Sequence, residues 1–138
     1  MQLPNPLTAF LGLIGLAVPL LTGVAVHAHH SFAAYYFEDQ SISIEGAVDT
    51  FEFRAPHAWL YVMAPDAQGQ LRRFGAEWAN PSRLRGDGIT SETLKAGDHV
   101  VVTGSPGRVR SEFKIHLKRI QRPADGWEWR GGRRVRAR

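Results

Sequence analysis

Three features predict an all-β domain: segments in which apolar residues recur at every second position, Gly- or Pro-containing turn signals between them, and an Asn-Pro helix start after the third segment. Their order predicts a small five-stranded, OB-like antiparallel barrel with one short helix between strands 3 and 4. An open sandwich or a small antiparallel roll is the competing architecture. Fold alone settles no function.

The first strand is read from Ile42, Ile44, Gly46 and Val48 on one face and Ser43, Glu45, Ala47 and Asp49 on the other. Phe51 and Phe53 fall out of phase, so a bulge near Asp49 and Thr50 is expected to return them to the inside, and Gly46 marks a bend. His57 to Ala64 reads as the second strand, with Ala58, Leu60 and Val62 inward. Pro65-Asp66-Ala67-Gln68-Gly69 has turn chemistry, and Gln70 to Trp78 should return as the third strand of a hairpin. Asn80 is the expected N-cap of the helix, with Pro81 at its first position and Gly86 at its end. A second helical turn is expected over Thr90 to Leu94. Lys95-Ala96-Gly97-Asp98 then turns the chain into a fourth strand, His99 to Gly104. Gly104-Ser105-Pro106 reads as a hairpin turn before the last strand, Glu112 to Gln121. That strand points Phe113, Ile115 and Leu117 inward and Lys114, His116 and Lys118 outward.

Ahead of this domain, Leu7 to Val26 is apolar apart from Thr8 and Thr22, and Val26-His27-Ala28 offers small residues at the two positions that a signal peptidase reads. Residues 1–28 are therefore expected to be a signal peptide. Met1 to Phe10 lacks Lys and Arg, and the apolar run is long enough to span a bilayer, so an uncleaved membrane anchor is the alternative. Cleavage after Ala28 leaves about 110 residues, enough for one domain with a modest core, in the periplasm or outside the cell. The chain has no Cys, which excludes a lipoprotein, a thiolate metal cluster and disulfides.

The net charge is +4, and Asp125 to Arg138 carries most of it, setting Arg130, Arg133, Arg134, Arg136 and Arg138 against Asp125 and Glu128. Residues 29–122 are expected to form the barrel, and 123–138 an Arg-rich disordered tail with Trp127 and Trp129 against the domain. The tail suits contact with an anionic envelope surface. Nucleic acid is not expected as a partner of an exported protein, despite the barrel and the arginines. Gly86-Asp87-Gly88 and Gly104-Ser105-Pro106-Gly107 lack the lysine and the strand-to-helix setting of a phosphate loop. No Ser, His and acid form a nucleophile setting.

His29-His30-Ser31-Phe32, Glu45-Gly46-Ala47-Val48, Pro56-His57-Ala58-Trp59, Glu77 followed by Asn80-Pro81 and Leu84, and Leu94-Lys95-Ala96-Gly97-Asp98 run in order along the chain. In these motifs the chain resembles a family of small exported bacterial proteins of uncharacterised function. Two positions depart from that pattern: Ala55 stands where the family has Asn, and Asn80 stands where it has Ser. The resemblance implies a small exported β-domain and supplies no activity.

The chemistry must come from residues. After cleavage at Ala28, His29 would present an imidazole beside a free α-amino group, a start to a copper site, since Cu(II) favours nitrogen ligands. His57, at the entrance of a strand beside Trp59 and Tyr61, is the expected second imidazole, and His30 could add a further nitrogen. In the bland alternative His29 and His30 are a solvated terminus and His57 only satisfies nearby backbone. His99 and His116 are weaker candidates, the latter set between Lys114 and Lys118 on a solvated face. The terminal His arrangement resembles the two-histidine clasp of copper-dependent polysaccharide oxygenases, but five strands are too few for their larger sandwich and no catalytic pair is evident. The sequence thus reads as a binding protein rather than an enzyme. The non-metal alternative is a ligand- or protein-binding module in which Trp59, Tyr61, Glu77 and Trp78 line an aromatic groove. Phe51, Phe53 and Phe74 would extend that groove, and Arg54, Arg72 or Arg73 would meet a carboxylate.

Overall fold

A computed structural model describes residues 32–131. Six strands follow one another: β1 (Ile42–Glu52), β2 (Trp59–Pro65), β3 (Leu71–Glu77), β4 (His99–Pro106), β5 (Lys114–Arg122) and β6 (Trp127–Arg130), with helix α1 (Pro81–Gly86) between β3 and β4. β1 pairs antiparallel with both β2 and β4, β2 with β3, and β4 with β5. The ring closes by a short parallel pairing of β3 with β5, Gly75 to Glu77 against Lys114 to His116. The result is the OB-like five-stranded barrel with its helix between strands 3 and 4. The closure is parallel, not antiparallel, because α1 and β4 carry the chain back across the barrel before β5 begins.

Alternation fixes the inside. Ile44 and Val48 of β1, Leu60 and Val62 of β2, and Val100 and Val102 of β4 are buried, and the register of β1 against β2 slips between Val48 and Thr50. That bulge lies where the phase of Phe51 required it, and Phe51 and Phe53 pack against the core from half-buried positions. Gly46 sits at a close approach: a Cβ there would lie 2.0 Å from the Met63 carbonyl oxygen, so β1 can cross β2 this tightly only without a side chain. Gly104 does the same on β4, where a Cβ would meet the His116 carbonyl oxygen at 2.1 Å beside a second register slip.

Gly104 therefore corrects the expected hairpin turn. Gly104-Ser105-Pro106 continues β4, and the chain reverses over Gly107 to Phe113, ending in Phe113 at φ 49°. β5 accordingly begins at Lys114 rather than Glu112. Helix α1 forms as read: the Asn80 side-chain oxygen accepts from the Ser82 and Arg83 amides at 2.8 and 3.2 Å, Pro81 occupies the first position, and Leu84 is buried. Thr90 to Leu94 makes hydrogen-bonded turns in place of a helical one. The Thr93 hydroxyl takes the Thr90 amide, and Ile89 and Leu94 anchor the segment in the core.

The tail also needs correction. β6 pairs with β5 from Arg119–Arg130 to Arg122–Trp127, so residues 127–130 belong to the sheet. Trp129 is buried, packs on Trp78 with ring centroids 5.0 Å apart, and donates from Nε1 to Asp87 Oδ2 at 3.0 Å. Charge content had suggested disorder, but Glu128 is neutralised by Arg119 and Arg130, and the two tryptophans supply apolar surface. Residues 132–138 lie outside the described residues.

Candidate functional site

The site grows from the segment before β1. Phe32–Ala34 form a single 3-10 turn, and the following residues clamp onto the end of β4: the Phe37 amide donates to the Pro106 carbonyl at 2.9 Å, and the Arg108 amide to the Tyr35 carbonyl at 2.9 Å. This seats Tyr36 against the barrel, where it is 1% exposed. Its hydroxyl donates to Glu77 Oε2 at 2.5 Å. Burial, and then the bond to Glu77, push the Tyr36 phenol well above the tyrosine range, so it stays a neutral donor.

The other oxygen of Glu77 lies 2.6 Å from His57 Nδ1. Backbone pairing enforces this proximity: the Ala58 amide donates to the Ala79 carbonyl and the Trp78 amide to the Ala58 carbonyl, which holds His57 beside the end of β3. Phe32 completes the cluster. Its ring lies 5.3 Å from the His57 ring and stacks at 3.7 Å on His116, the register partner of Glu77 across the parallel pair.

His116 is not the solvated residue that its lysine neighbours suggested. Its side chain is 14% exposed, and its Nδ1 lies 2.8 Å from Glu38 Oε1, while Lys118 donates to Glu38 Oε2 at 2.5 Å. Burial pulls the His116 pKa below the ordinary histidine value. For Glu38 burial works the other way, but the bonds from Lys118 and His116 outweigh it and hold the carboxyl below its usual range.

His57, Trp59 and Glu77 share the wall of one cleft of about 790 Å³ with Phe32, Tyr35 and Val109. The three large apolar side chains most exposed among the described residues are Tyr35, Leu71 and Val109, so two of the three stand at this cleft. Arg108 and Lys114 add charge at its margin, each already engaged, Arg108 with the Ala33 carbonyl and Lys114 with Glu112.

Of the residues singled out from sequence, His57, Trp59 and Glu77 thus come together. Tyr61 lies outside the cleft wall, on the outer face of β2: its ring stacks beside Trp59 at 6.2 Å, the Arg73 guanidinium covers it at 3.7 Å, and Gly75 of β3 leaves room for both rings. Trp78 is not a ligand-facing residue. One position beyond Glu77, it points to the other side of the strand and is fully buried against Trp129 and Phe51. Phe74 is also core, and Arg54, Arg72 and Arg73 are paired with Glu52, Asp66 and Asp49. His99 sits apart on the surface, Nε2 2.8 Å from Glu45. His29 and His30 lie outside the described residues. Among the described residues, no group of three or more His, Asp or Glu side chains is placed to hold a metal ion by itself.

Tyr36 and Glu38 escaped sequence reading, which gave Phe32 no role beyond its place in the His29-His30-Ser31-Phe32 motif and ranked His116 as a weaker candidate. The residues between Phe32 and Gln40 carry no strand or helix period, and their role depends on where the segment lands. The one available signal was composition: Phe32, Tyr35, Tyr36 and Phe37 concentrate aromatic rings in a segment too short to have its own core.

A family described as of unknown function (DUF6152) matches residues 18–114. The chain belongs to that family. The match takes in Tyr36, His57 and Glu77 and stops two residues before His116, so the Tyr36–Glu77–His57 chain lies wholly within the shared stretch and the Glu38–His116 pair does not. No curated protein and no solved structure matches the chain.

Proposed function

We propose that this member of the family is an exported, non-enzymatic copper-binding domain. The α-amino group and imidazole of His29 and the imidazole of His57 supply nitrogen ligands, and His30 supplies a further one. The observation that carries the reading is the packing of Phe32 on the His57 ring at 5.3 Å. His29 is three residues before Phe32, a span of at most about 10 Å when extended, so a terminus beginning at His29 has His57 within reach. Cu(II) suits this all-nitrogen set, and the absence of Cys leaves no thiolate to compete. The reading includes export: cleavage after Ala28 creates the free amino group on His29 and delivers the domain to the periplasm or the exterior.

The test is expression through the native leader, mass confirmation that the protein starts at His29, and Cu(II) titration followed by electron spin resonance. A type-2 signal with nitrogen couplings is expected, lost or strongly altered in His57→Ala. A signal unchanged by that substitution would reduce the site to a terminal peptide chelate and end the proposal. The second reading, a ligand-binding module without metal, draws on the cleft and on the exposure of Tyr35 and Val109 beside it. It predicts that Trp59→Ala weakens capture of an apolar ligand while copper has no effect on it.

A further inference from the structure

We infer that Glu77, itself held by the Tyr36 hydroxyl, is a positioning residue that fixes His57 in the Nδ1–H tautomer, leaving Nε2 as the nitrogen open to a metal. The inference rests on the copper reading above for the identity of the metal, whereas the tautomer is a property of the metal-free protein. Donors and acceptors assign the proton. A carboxylate has only acceptors. One Glu77 oxygen takes the Tyr36 hydroxyl at 2.5 Å, and the other lies 2.6 Å from His57 Nδ1, a distance that requires a proton between them. That proton belongs to the imidazole. A neutral imidazole carries a single N–H, so placing it on Nδ1 puts the lone pair on Nε2.

The shell that supports His57 is itself held in place. Tyr36 is 1% exposed and clamped by the backbone bonds of its neighbours to the end of β4, so its hydroxyl cannot swing away, and Glu77 is fixed at both oxygens. A carboxylate on the nitrogen remote from the metal raises imidazole basicity and sets ring orientation, and loss of such a partner typically lowers metal affinity about 10–100-fold. The same clamp seats Phe32. One short segment therefore seats Phe32 beside His57 and, through Tyr36 and Glu77, orients the His57 ring.

His99 provides a built-in contrast. It faces Glu45 through Nε2, not Nδ1, and its side chain is 55% exposed. Among the described residues no buried donor braces Glu45, and substitutions around Tyr36 should leave His99 untouched.

The experiment is a long-range proton–nitrogen correlation spectrum of the metal-free, full-length secreted protein in alkaline buffer, followed by copper titration. Wild type and Tyr36→Phe should show His57 as a single Nδ1–H form. Tyr36→Phe/Glu77→Leu removes the Tyr36–Glu77 pair together, so neither is left as a lone buried polar group, and His57, with its side chain 31% exposed, can turn to solvent. It should show both His57 tautomers, unchanged His99 signals, and copper binding weaker by about 10–100-fold. A wild-type His57 in the Nε2–H form, or a tautomer unmoved in the double variant, overturns the inference. The wild-type spectrum decides the first point even if the double variant does not fold. Copper binding indifferent to His57→Ala, with the tautomers as expected, would instead overturn the copper reading and leave the positioning of His57 standing.

Discussion

Glu77 and Trp78 are neighbours at the end of β3 and serve two different environments. Trp78 points into the barrel, fully buried, and its surroundings are rings and aliphatic side chains: Trp129 at 5.0 Å and Phe51 at 5.9 Å. Glu77 points out to a half-buried cluster of Tyr36, His57, Phe32 and His116 in which geometry is set by hydrogen bonds of 2.5 and 2.6 Å. The inward side is held by burial, which is non-directional and tolerant of small shifts. The outward side is held by directional bonds whose partial loss leaves groups unsatisfied. The contrast teaches that stability and specificity have been separated across the thickness of one strand.

The comparison is broken most severely from the inside. Trp78→Ala should cost about 3–5 kcal/mol of stability, measured by urea unfolding, because the indole fills the space between β1, β3 and β6. A loss below about 1 kcal/mol would mean that Trp78 is not part of the core. Tyr36→Phe tests the outer side at smaller scale. Removing a buried donor from a carboxylate should cost about 1–3 kcal/mol, and a variant as stable as wild type would show that the Tyr36–Glu77 bond contributes nothing net. Asn80→Ala, which strips the cap from α1 without removing a side chain of either environment, should cost about 1 kcal/mol and leave the His57 tautomer unchanged in the proton–nitrogen spectrum.

Acidification should act on the outer side through His116 and Glu38. The His116 pKa is lowered in the folded protein, so below the ordinary value of 6.5 the unfolded chain takes up a proton that the folded protein refuses, and stability falls with pH. Glu38 is lowered too. Its contribution is complete above 4.5 and is lost as pH falls through the folded value, so both groups weaken the fold in acid. A melting temperature that rises on going from neutral to mildly acidic buffer, or the same slope in His116→Gln, would contradict this account. The smallest effect is expected at His99→Ala, where an exposed side-chain contact with Glu45 should change stability by no more than about 0.5 kcal/mol.

Much of the barrel was legible because strand periodicity is a local signal. The alternation in β1, the misplaced Phe51 and the turn after Pro65 each constrain residues within a few positions of one another, and bulge, hairpin and helix start follow from them. Gly104 misled for a physical reason: glycine serves both turns and close strand crossings, and only the neighbouring strand, with its His116 carbonyl 2.1 Å from a would-be Cβ, tells them apart. Trp78 misled because being next to a site residue in a strand means facing away from it. The tail was read by charge, and its arginines concealed a strand completed by pairing with β5.

By itself the sequence determined the class of fold, the order of its strands and the chemical identity of His57 and Glu77 as candidates, since these follow from side-chain period and residue type. Tertiary structure alone decided that β3 and β5 would lie parallel, that Phe32 and Tyr36 would land beside His57, and that His116 would be drawn out of solvent by Phe32 and Glu38. Those contacts join residues from 20 to more than 80 positions apart. Pairings so remote leave no local pattern, because closing the barrel is what brings their partners within reach.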